Sequence, residues 1–414
     1  MANKRNKNLH IVRETEGEQP QWQPGGQTDF GQAMEELEEQ VRQNKRNKRR
    51  KLFLIVGGTL AVAVVVFLII HLQTYNAVRV EETYQIDGAA DSRYAEFAKG
   101  VLKYSRDGVS YLDTRGGEQW NQPCQLKNPF VDINGITAAV ADKGGNDILI
   151  FQEDGLKGEI QTTLPIEKLS VSKQGIVSAI LKNEESPQVI CYDTAGNVLV
   201  EHQASFTGTG YPVDVALSDD GKTMMVVYIR VEGGNYISSV AYYDFSAATE
   251  AGADHRAAYQ EYENTVLASG FFLDESMSAV VGDNCLTLFR GTEAPEKVAE
   301  IALDKEVQSV FHSEKYVGLI LKNEGEGGYE LCLYNTSGKK VMSEDFSGDY
   351  GNVKISGNQV ILYEGRQCCI FLRSGVKKFE GEMDNDILEI FPTSGVNKYI
   401  LMNANGMEDI RLVK

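Results

Sequence analysis

Asp193 lies at a polar turn within ICYDTAGNVLVEH, Ile190–His202, where a carboxylate could act as a general acid or base. Asp113, Asp244 and Asn335 occupy the same place in SYLDTRGG, AYYDFSA and CLYNTSG. A catalytic acid is needed once and with a partner, whereas a short polar side chain at a turn bonds its own backbone two residues on. The recurrence therefore predicts that Asp193 stabilises a turn and is not a catalyst.

The histidines form no ligand cluster in the sequence. No two of them stand at a spacing that would hold a metal ion. The histidines are His10, His71, His202, His255 and His312. The SDDG stretch at Ser218–Gly221 lacks the alternating acids and the distal Glu of a calcium loop. We therefore predict no catalytic, metal-binding or cofactor-binding residues.

The stretch FSAATEAGADHRAAYQEY, which begins at Phe245, interrupts the spacing of the surrounding sequence and is typical of an inserted loop. Loops of this kind often carry binding residues. Its DHR triplet is the charged cluster that we predict as a candidate interaction loop, formed by Asp254, His255 and Arg256.

Six cysteines occur, none in a CxxC pair, and most lie in apolar strand-like runs such as QVICYD and YELCLYN. Buried, small hydrophobic side chains are the interpretation that this setting favours. One further hypothesis concerns Cys332 and Cys368, which lie six and seven residues before the turn glycines Gly338 and Gly375. If side chains of opposite strand parity meet between adjacent sheets, these two thiols could form a disulfide.

The elements that position these residues are short strands. Past residue 82, β-rich runs alternate with Gly, Asn, Asp and Ser, and two kinds of turn recur about twenty residues apart. The successive gaps between the glycines of one turn are 39, 41, 142 and 37 residues, and these glycines are Gly116, Gly155, Gly196, Gly338 and Gly375. Four short strands in roughly 40 residues are typical of one β-propeller blade.

The predicted fold is all-β, an eight-bladed β-propeller, with seven blades as the alternative. We expect the first two blades at residues 93–124 and 126–164, a third that ends near residue 205 and a fourth that ends near residue 262. Three more blades are expected at 265–302, 305–347 and 350–383. The last segment, from Asp386, supplies only three strands. We expect its fourth strand from EETYQID, residues 81–87, because that exchange would close the ring and remove two exposed sheet edges.

Leu52–Leu72 contains 21 residues without an acid, Lys or Arg. As a helix it could cross a hydrocarbon core of ~30 Å, so we predict one transmembrane helix. Basic residues precede it, and those that we predict to fix its orientation are Arg46, Lys48, Arg49, Arg50 and Lys51. Since Lys and Arg mark the cytoplasmic side, we predict an uncleaved signal anchor in the cell membrane. This single-pass topology has a cytoplasmic N-terminus and an extracytoplasmic C-terminal domain.

Four segments follow from these patterns. Residues 1–51 form a cytoplasmic tail, first disordered and then a basic juxtamembrane helix; residues 52–72 form the transmembrane helix. Residues 73–80 form a linker and residues 81–414 the propeller. The first 51 residues hold 11 Lys and Arg against 8 Asp and Glu, a net charge of +3, and the remainder carries −21. An acidic body argues against a nucleic-acid partner, because phosphate contacts need a cationic face.

The segment KRNKRRKLFLIVGGTLAVAVVVFLII, followed by SYLDTRGGEQW, YDTAG and YNTSG, resembles an uncharacterised bacterial family of single-span membrane proteins. The resemblance runs from about residue 42 onward and implies an extracytoplasmic, eight-bladed, quinoprotein-like propeller. It implies no catalytic residues. Cofactor-binding quinoproteins have tryptophan-rich blades, and this chain has only Trp22 and Trp120, so we predict no cofactor.

The expected function is therefore non-enzymatic. We predict a scaffold that contacts membrane lipid through one helix and binds an envelope protein or polymer outside the cell. The alternative is a small-ligand sensor or an enzyme that uses the propeller channel, which would need convergent polar residues at one end of that channel.

Overall fold

A computed structural model describes residues 29–71, 73–245, 256–325, 327–395 and 397–414 of the chain. These fall into two compact units, Met1–Leu72 and Gln73–Lys414. The described part of the first unit is a single helix, α1 (Asp29–His71), of 43 residues. Acidic residues lead this helix and basic residues follow, an order that its dipole favours. Among the described residues, no helix combines the length and the apolar character that crossing a membrane requires.

The second unit consists of four-stranded antiparallel sheets. It begins with β1 (Ala77–Gln85), four residues before the predicted start of the propeller at residue 81, and a short 3-10 turn at Ala89–Asp91. Blade 1 consists of β2 (Arg93–Phe97), β3 (Gly100–Tyr104), β4 (Gly108–Leu112) and β5 (Glu118–Pro123). Blade 2 consists of β6 (Pro129–Asn134), β7 (Thr137–Asp142), β8 (Asp147–Gln152) and β9 (Gly155–Gln161).

The next sheets follow in chain order. Blade 3 consists of β10 (Ile166–Val171), β11 (Val177–Leu181), β12 (Gln188–Tyr192) and β13 (Val198–Gln203). Blade 4 consists of β14 (Tyr211–Leu217), β15 (Thr223–Glu232), β16 (Asn235–Asp244) and β17 (Arg256–Glu263). Blade 5 consists of β18 (Leu267–Phe272), β19 (Met277–Gly282), β20 (Cys285–Arg290) and β21 (Glu296–Ala302).

The remaining sheets complete the unit. Blade 6 consists of β22 (Val307–Ser313), β23 (Tyr316–Lys322), β24 (Tyr329–Asn335) and β25 (Lys340–Phe346). Blade 7 consists of β26 (Asn352–Ser356), β27 (Gln359–Glu364), β28 (Gln367–Leu372) and β29 (Lys377–Glu382). Blade 8 contains β30 (Glu389–Pro392), β31 (Lys398–Asn403) and β32 (Gly406–Val413).

Blade 8 is completed by β1, which pairs with β32 in antiparallel register from Ala77 opposite Val413 to Gln85 opposite Gly406. The predicted exchange of this outer strand is therefore confirmed. The first strands of neighbouring sheets contact one another, as β10 does with β6 and β14, so these innermost strands line a central channel.

Buried apolar clusters lie between neighbouring sheets. One of them joins Tyr94 and Val101 of blade 1 to Phe391 and Met402 of blade 8, across the point where the ring closes. Within the described residues there are eight such clusters, one for each interface. The predicted all-β, eight-bladed propeller is confirmed, and the seven-blade alternative is wrong.

The hypothesis of a disulfide between Cys332 and Cys368 is wrong, since both thiols are free and buried. Cys332 packs in the cluster between blades 5 and 6, and Cys368 packs in the cluster between blades 7 and 8. The face that blade 6 turns toward blade 7 carries Leu331 and Leu333, and Cys369 meets it from blade 7. Strand parity alternates as expected, but the two thiols point in opposite directions away from their shared interface.

Candidate functional site

Asp193 builds a turn, as its recurrence in the sequence predicted. Its Oδ1 accepts hydrogen bonds from the backbone amides of Ala195 and Asn197, both at 2.9 Å. The same pair of bonds, to the amides two and four residues on, forms at Asp113 and at Asn335. Hydrogen bonds from Asn197 lower the pKa of the Asp193 carboxyl, which therefore remains an ionised acceptor at neutral pH.

The glycine of the same turn packs against the outer strand of the preceding blade. A Cβ on Gly338 would come within 2.8 Å of the Ala299 Cβ on β21, and a Cβ on Gly116 within 3.1 Å of Tyr84 on β1. Both glycines also have positive φ angles, 77° and 73°, which other residues rarely adopt. The recurring turn therefore holds neighbouring blades together, which is a structural role.

Two residues of the predicted interaction loop, Asp254 and His255, lie outside the described residues. Arg256 is the first residue of β17 and is exposed, with its guanidinium 5.1 Å from the centre of the Tyr259 ring. The loop stays a prediction. The basic residues predicted to fix the membrane orientation lie exposed on α1, and they are Arg46, Lys48, Arg49, Arg50 and Lys51.

The hairpin of β15 and β16 is the longest in the described part of the propeller. Both strands have ten residues, whereas the second and third strands of the other blades have five to eight. Val231 and Tyr236 pair directly near its tip, so their side chains share one face of the sheet. They are 66% and 57% exposed, far above the core residues of the same strands. An apolar and aromatic tip therefore projects from blade 4.

Arg230 forms an ion-pair cluster on the opposite face of this hairpin. Its guanidinium lies 2.9 Å from Glu261 on β17 and 3.3 Å from Glu232 on its own strand, and its side chain is only 12% exposed. Hydrogen bonds from Tyr259 and Arg230 lower the pKa of Glu261, which stays ionised. This ion-pair cluster links β15 to β17 on the face opposite Val231 and Tyr236.

In the channel, polar side chains tie the innermost strand of one blade to the next. Asp132 of blade 2 accepts the amide of Val171 at 2.7 Å, and Asp214 of blade 4 accepts the amide of Gly270 at 3.0 Å. Ser170 makes the same kind of link from blade 3 to blade 4 at 3.1 Å. Desolvation raises the pKa of Asp132 to about 6, and it also raises the pKa of Asp214.

The channel surface of blades 7, 8 and 1 is arranged differently. The ammonium of Lys354 contacts the carboxylate of Glu389 and lies 3.7 Å from that of Glu96. Ser356 donates a further hydrogen bond to Glu96 at 2.9 Å. Here each carboxylate has a cation within reach.

Side chains at the ends of the innermost strands reach across the channel. Lys173 of blade 3 lies 2.6 Å from Asp219 of blade 4 and 3.6 Å from Glu314 of blade 6. Asn134 of blade 2 donates to Asp219 at 3.0 Å. Because blades 3 and 6 are not neighbours, these contacts cross the channel and bound it at this end.

Beside this network lies a cavity of about 420 Å³, lined by the innermost strands of blades 2 to 6. Its lining includes the Asp132 and Asp214 carboxylates and the stacked rings of Phe271 and His312, whose centres are 4.1 Å apart. His312 is exposed along the channel, and the surrounding protein lowers its pKa below the usual range of an imidazole. In the described residues, no three His, Cys, Asp or Glu side chains converge on a position that could hold a metal ion.

Sequence reasoning missed the channel residues. Asp132 and Asp214 stand in the runs FVDIN and PVDVAL, which otherwise read as buried strands. An acid inside an apolar strand is the available signal, because a charge there needs a partner or access to water. His312 gave no such signal, since its neighbours along the strand do not predict the ring of Phe271 from another blade.

The fold and these surfaces define a class: an eight-bladed β-propeller with a polar channel and one projecting hairpin. The chain belongs to the family of unknown function DUF5711, whose model matches residues 71–412. No curated protein matches its sequence.

Several solved structures are similar to this chain. BamB from Moraxella catarrhalis is 13% identical with a TM-score of 0.49, and the match covers 82% of this chain and 98% of that one. Kuenenia stuttgartiensis hydrazine synthase is 10% identical with a TM-score of 0.43, covering 80% and 98%. Kluyveromyces lactis Hsv2 is 9% identical with a TM-score of 0.44, covering 68% and 93%. Likeness at this level carries no function over to this chain.

Proposed function

We propose that this protein is a membrane-anchored β-propeller that binds a protein partner outside the cell through blade 4, without catalysis. The observation that carries the proposal is the projecting hairpin, with Val231 and Tyr236 exposed side by side at its tip. Tyrosine is one of the residue types enriched at the energetic centres of protein interfaces. The Arg230 cluster links the hairpin to β17.

Membrane attachment and orientation rest on the sequence. Leu52–Leu72 lacks acids, Lys and Arg over 21 residues, and a basic run precedes it. Such a segment favours insertion with the basic flank in the cytoplasm. Protease added to intact protoplasts should then remove the propeller and leave the tail protected. Protection of the propeller, or its release from membranes by alkali, would contradict the anchor.

The proposal that the protein is not an enzyme rests on how the channel groups are used. Asp132, Ser170 and Asp214 each accept a backbone amide from the next blade, which is a structural task. His312 has no hydrogen bond to any described residue, so it is not oriented by a second group as a catalytic base would be.

Site-specific photo-crosslinking in intact cells tests the interface. A benzophenone amino acid in place of Tyr236 should give one discrete, reproducible product with an envelope protein. Val231→Ser in the same chain should abolish that product without changing thermal stability, because residue 231 is exposed.

The matched control places the same cross-linker at Val298, which is 48% exposed on β21, the outer strand of blade 5. That position should give no such product. Identical products from positions 236 and 298 would show indiscriminate capture and would contradict an interface at blade 4. A product that resists protease and contains cell-wall polymer would contradict a protein partner.

A further inference from the structure

The channel cavity carries more carboxylates than cations. Its lining includes Asp132, Asp214, Asp219 and Glu314 but, among the described residues, a single lysine, Lys173. A second lysine, Lys168, lies just outside the lining and pairs with Asp214. With all of these groups ionised the net charge is −2, in a space where partial exclusion of water strengthens electrostatic interactions.

Asp132 is half-buried, and it is the carboxylate of this group for which the described part of the chain provides no cation. Asp214 and Asp219 each have a lysine within 3.5 Å or less, whereas no ion pair in the described part of the chain includes Asp132. The partners of this carboxylate are neutral donors, the Val171 amide and the Ser170 hydroxyl. A carboxylate partly shielded from water is ordinarily compensated by a cation, so the cavity holds a negative charge that the described residues leave without one.

A pair of stacked rings completes the lining. Phe271 and His312 are parallel to within 4°, with their centres 4.1 Å apart, and neither nitrogen of His312 bonds a described residue. Because the pKa of His312 is lowered to about 4, the imidazole is neutral at physiological pH. It therefore offers an acceptor nitrogen and an aromatic face instead of a competing positive charge.

We propose that this cavity binds a small organic cation with an ammonium or guanidinium head and a planar apolar body. The Asp132 carboxylate receives the head, and the Phe271–His312 pair contacts the body. A volume of about 420 Å³ suits a ligand of this size. The net negative charge disfavours anions.

A titration of the full chain in nanodiscs with 4-fluorobenzylammonium, followed by ¹⁹F NMR, tests the proposal. The neutral isostere 4-fluorobenzyl alcohol should bind at least roughly tenfold more weakly, because it leaves the Asp132 carboxylate uncompensated. Asp132→Asn should weaken ammonium binding by a similar factor. Asp193→Asn removes the same charge at a turn outside the channel and should leave the affinity unchanged.

The affinity should also fall as the pH drops through about 6, since Asp132 then takes up a proton. Desolvation shifts the pKa of Asp214 in the same direction, and His312 stays neutral until lower pH. The charged and titratable groups that surround Asp132 in and beside the cavity are Lys168, Lys173, Asp214, Asp219, His312 and Glu314. The Asp132→Asn chain should lose most of this pH dependence.

Equal affinity for the ammonium and the alcohol would overturn the proposal, as would equal weakening by Asp132→Asn and Asp193→Asn. Absence of ammonium binding to the unaltered chain would overturn it as well. If Asp132→Asn does not fold, His312→Leu provides the second variant. It keeps an apolar wall but removes the acceptor nitrogen, and it should weaken ammonium binding several-fold; an unchanged affinity would contradict the ring contact.

Discussion

Blades 7, 8 and 1 and blades 2 to 4 line the same channel, but they accommodate charge in opposite ways. In the first arc, Lys354 lies between Glu389 and Glu96, so the carboxylates are compensated. In the second arc, Asp214 and Asp219 have lysines, but Asp132 accepts a backbone amide and no ion pair among the described residues includes it. Burial raises the pKa of its carboxyl to about 6. The first arc therefore behaves as a fixed structural clamp, whereas the second keeps an unmet preference for positive charge.

The largest expected effect comes from breaking the compensated arc. Lys354→Met leaves Glu389, which is 8% exposed, without its cation. Loss of one partner from a buried pair should lower the free energy of unfolding by about 3 kcal/mol. Urea unfolding followed by circular dichroism measures this change.

The matched control for that change is the double variant Lys354→Met with Glu389→Leu. Removing both charges should restore most of the stability, because the penalty arises from the uncompensated carboxylate. A double variant as unstable as the single one would show that Lys354 acts through packing against Phe391, whose ring it overlies at 5.4 Å.

The second largest effect comes from the uncompensated arc and has the opposite sign. The folded pKa of Asp132 is raised to about 6, above its unfolded value of about 3.9, so stability is lost as the pH rises between these values. Asp132→Asn should therefore be more stable than the unaltered chain by about 1–2 kcal/mol near neutral pH, with little difference near pH 4. Urea unfolding at a series of pH values measures the difference.

Part of the pH dependence should persist in this variant, because burial also raises the pKa of Asp214. An Asp132→Asn chain that is less stable than the unaltered chain at neutral pH would mean that the hydrogen bond to Val171 outweighs the cost of burying the charge.

The third, smaller effect is a difference between two serine replacements, one in each arc. Ser356→Ala removes a hydrogen bond to Glu96, and Ser170→Ala removes the acceptor of the amide bond to blade 4. Each should cost about 1 kcal/mol of stability. Only Ser170→Ala should raise the pKa of Asp132 further, since the Ser170 side chain bonds that carboxylate. Carboxyl ¹³C titration of both variants distinguishes them, and an equal shift in both would remove the contrast between the arcs.

The smallest effect concerns the contact across the channel. Glu314 is 72% exposed at its side chain and lies 3.6 Å from Lys173. Glu314→Gln should change stability by less than about 0.5 kcal/mol, because solvent screens an exposed pair. A loss above about 1 kcal/mol that disappears in high salt would show that this contact supports the ring.

Much of the fold could be predicted because each blade repeats the same local signals. The turns at Asp113, Asp193 and Asn335 recur with the same hydrogen bonds, so their spacing gave the blade boundaries almost unchanged. The closing strand could be predicted as well, because three strands in the last segment leave one edge unpaired. These inferences depend on local geometry and on the need to satisfy backbone groups.

Other features depend on the direction of side chains and on contacts between residues far apart in the sequence, which the repeat does not encode. Alternation along β24 and β28 places neighbouring side chains on opposite faces, but it does not say which face looks toward the preceding blade. The disulfide hypothesis for Cys332 and Cys368 therefore placed both thiols at the wrong interface. The acid in FVDIN marks Asp132 as unusual, but the lack of a cation beside it among the described residues becomes visible only when five blades surround one cavity.

The pairing of β1 with β32 also sets an order in time. Translation yields β1 first, while its partner emerges more than 300 residues later, roughly half a minute at about 10 residues per second. Throughout that interval the ring is open and β1 is an unpaired edge. Its sequence, AVRVEETYQ, carries Arg79, Glu81 and Glu82, charges that discourage association with other chains. Glu81 forms ion pairs with Lys398 and Arg411 once the ring closes. The same charge that discourages association of the unpaired strand therefore helps to hold that strand in blade 8.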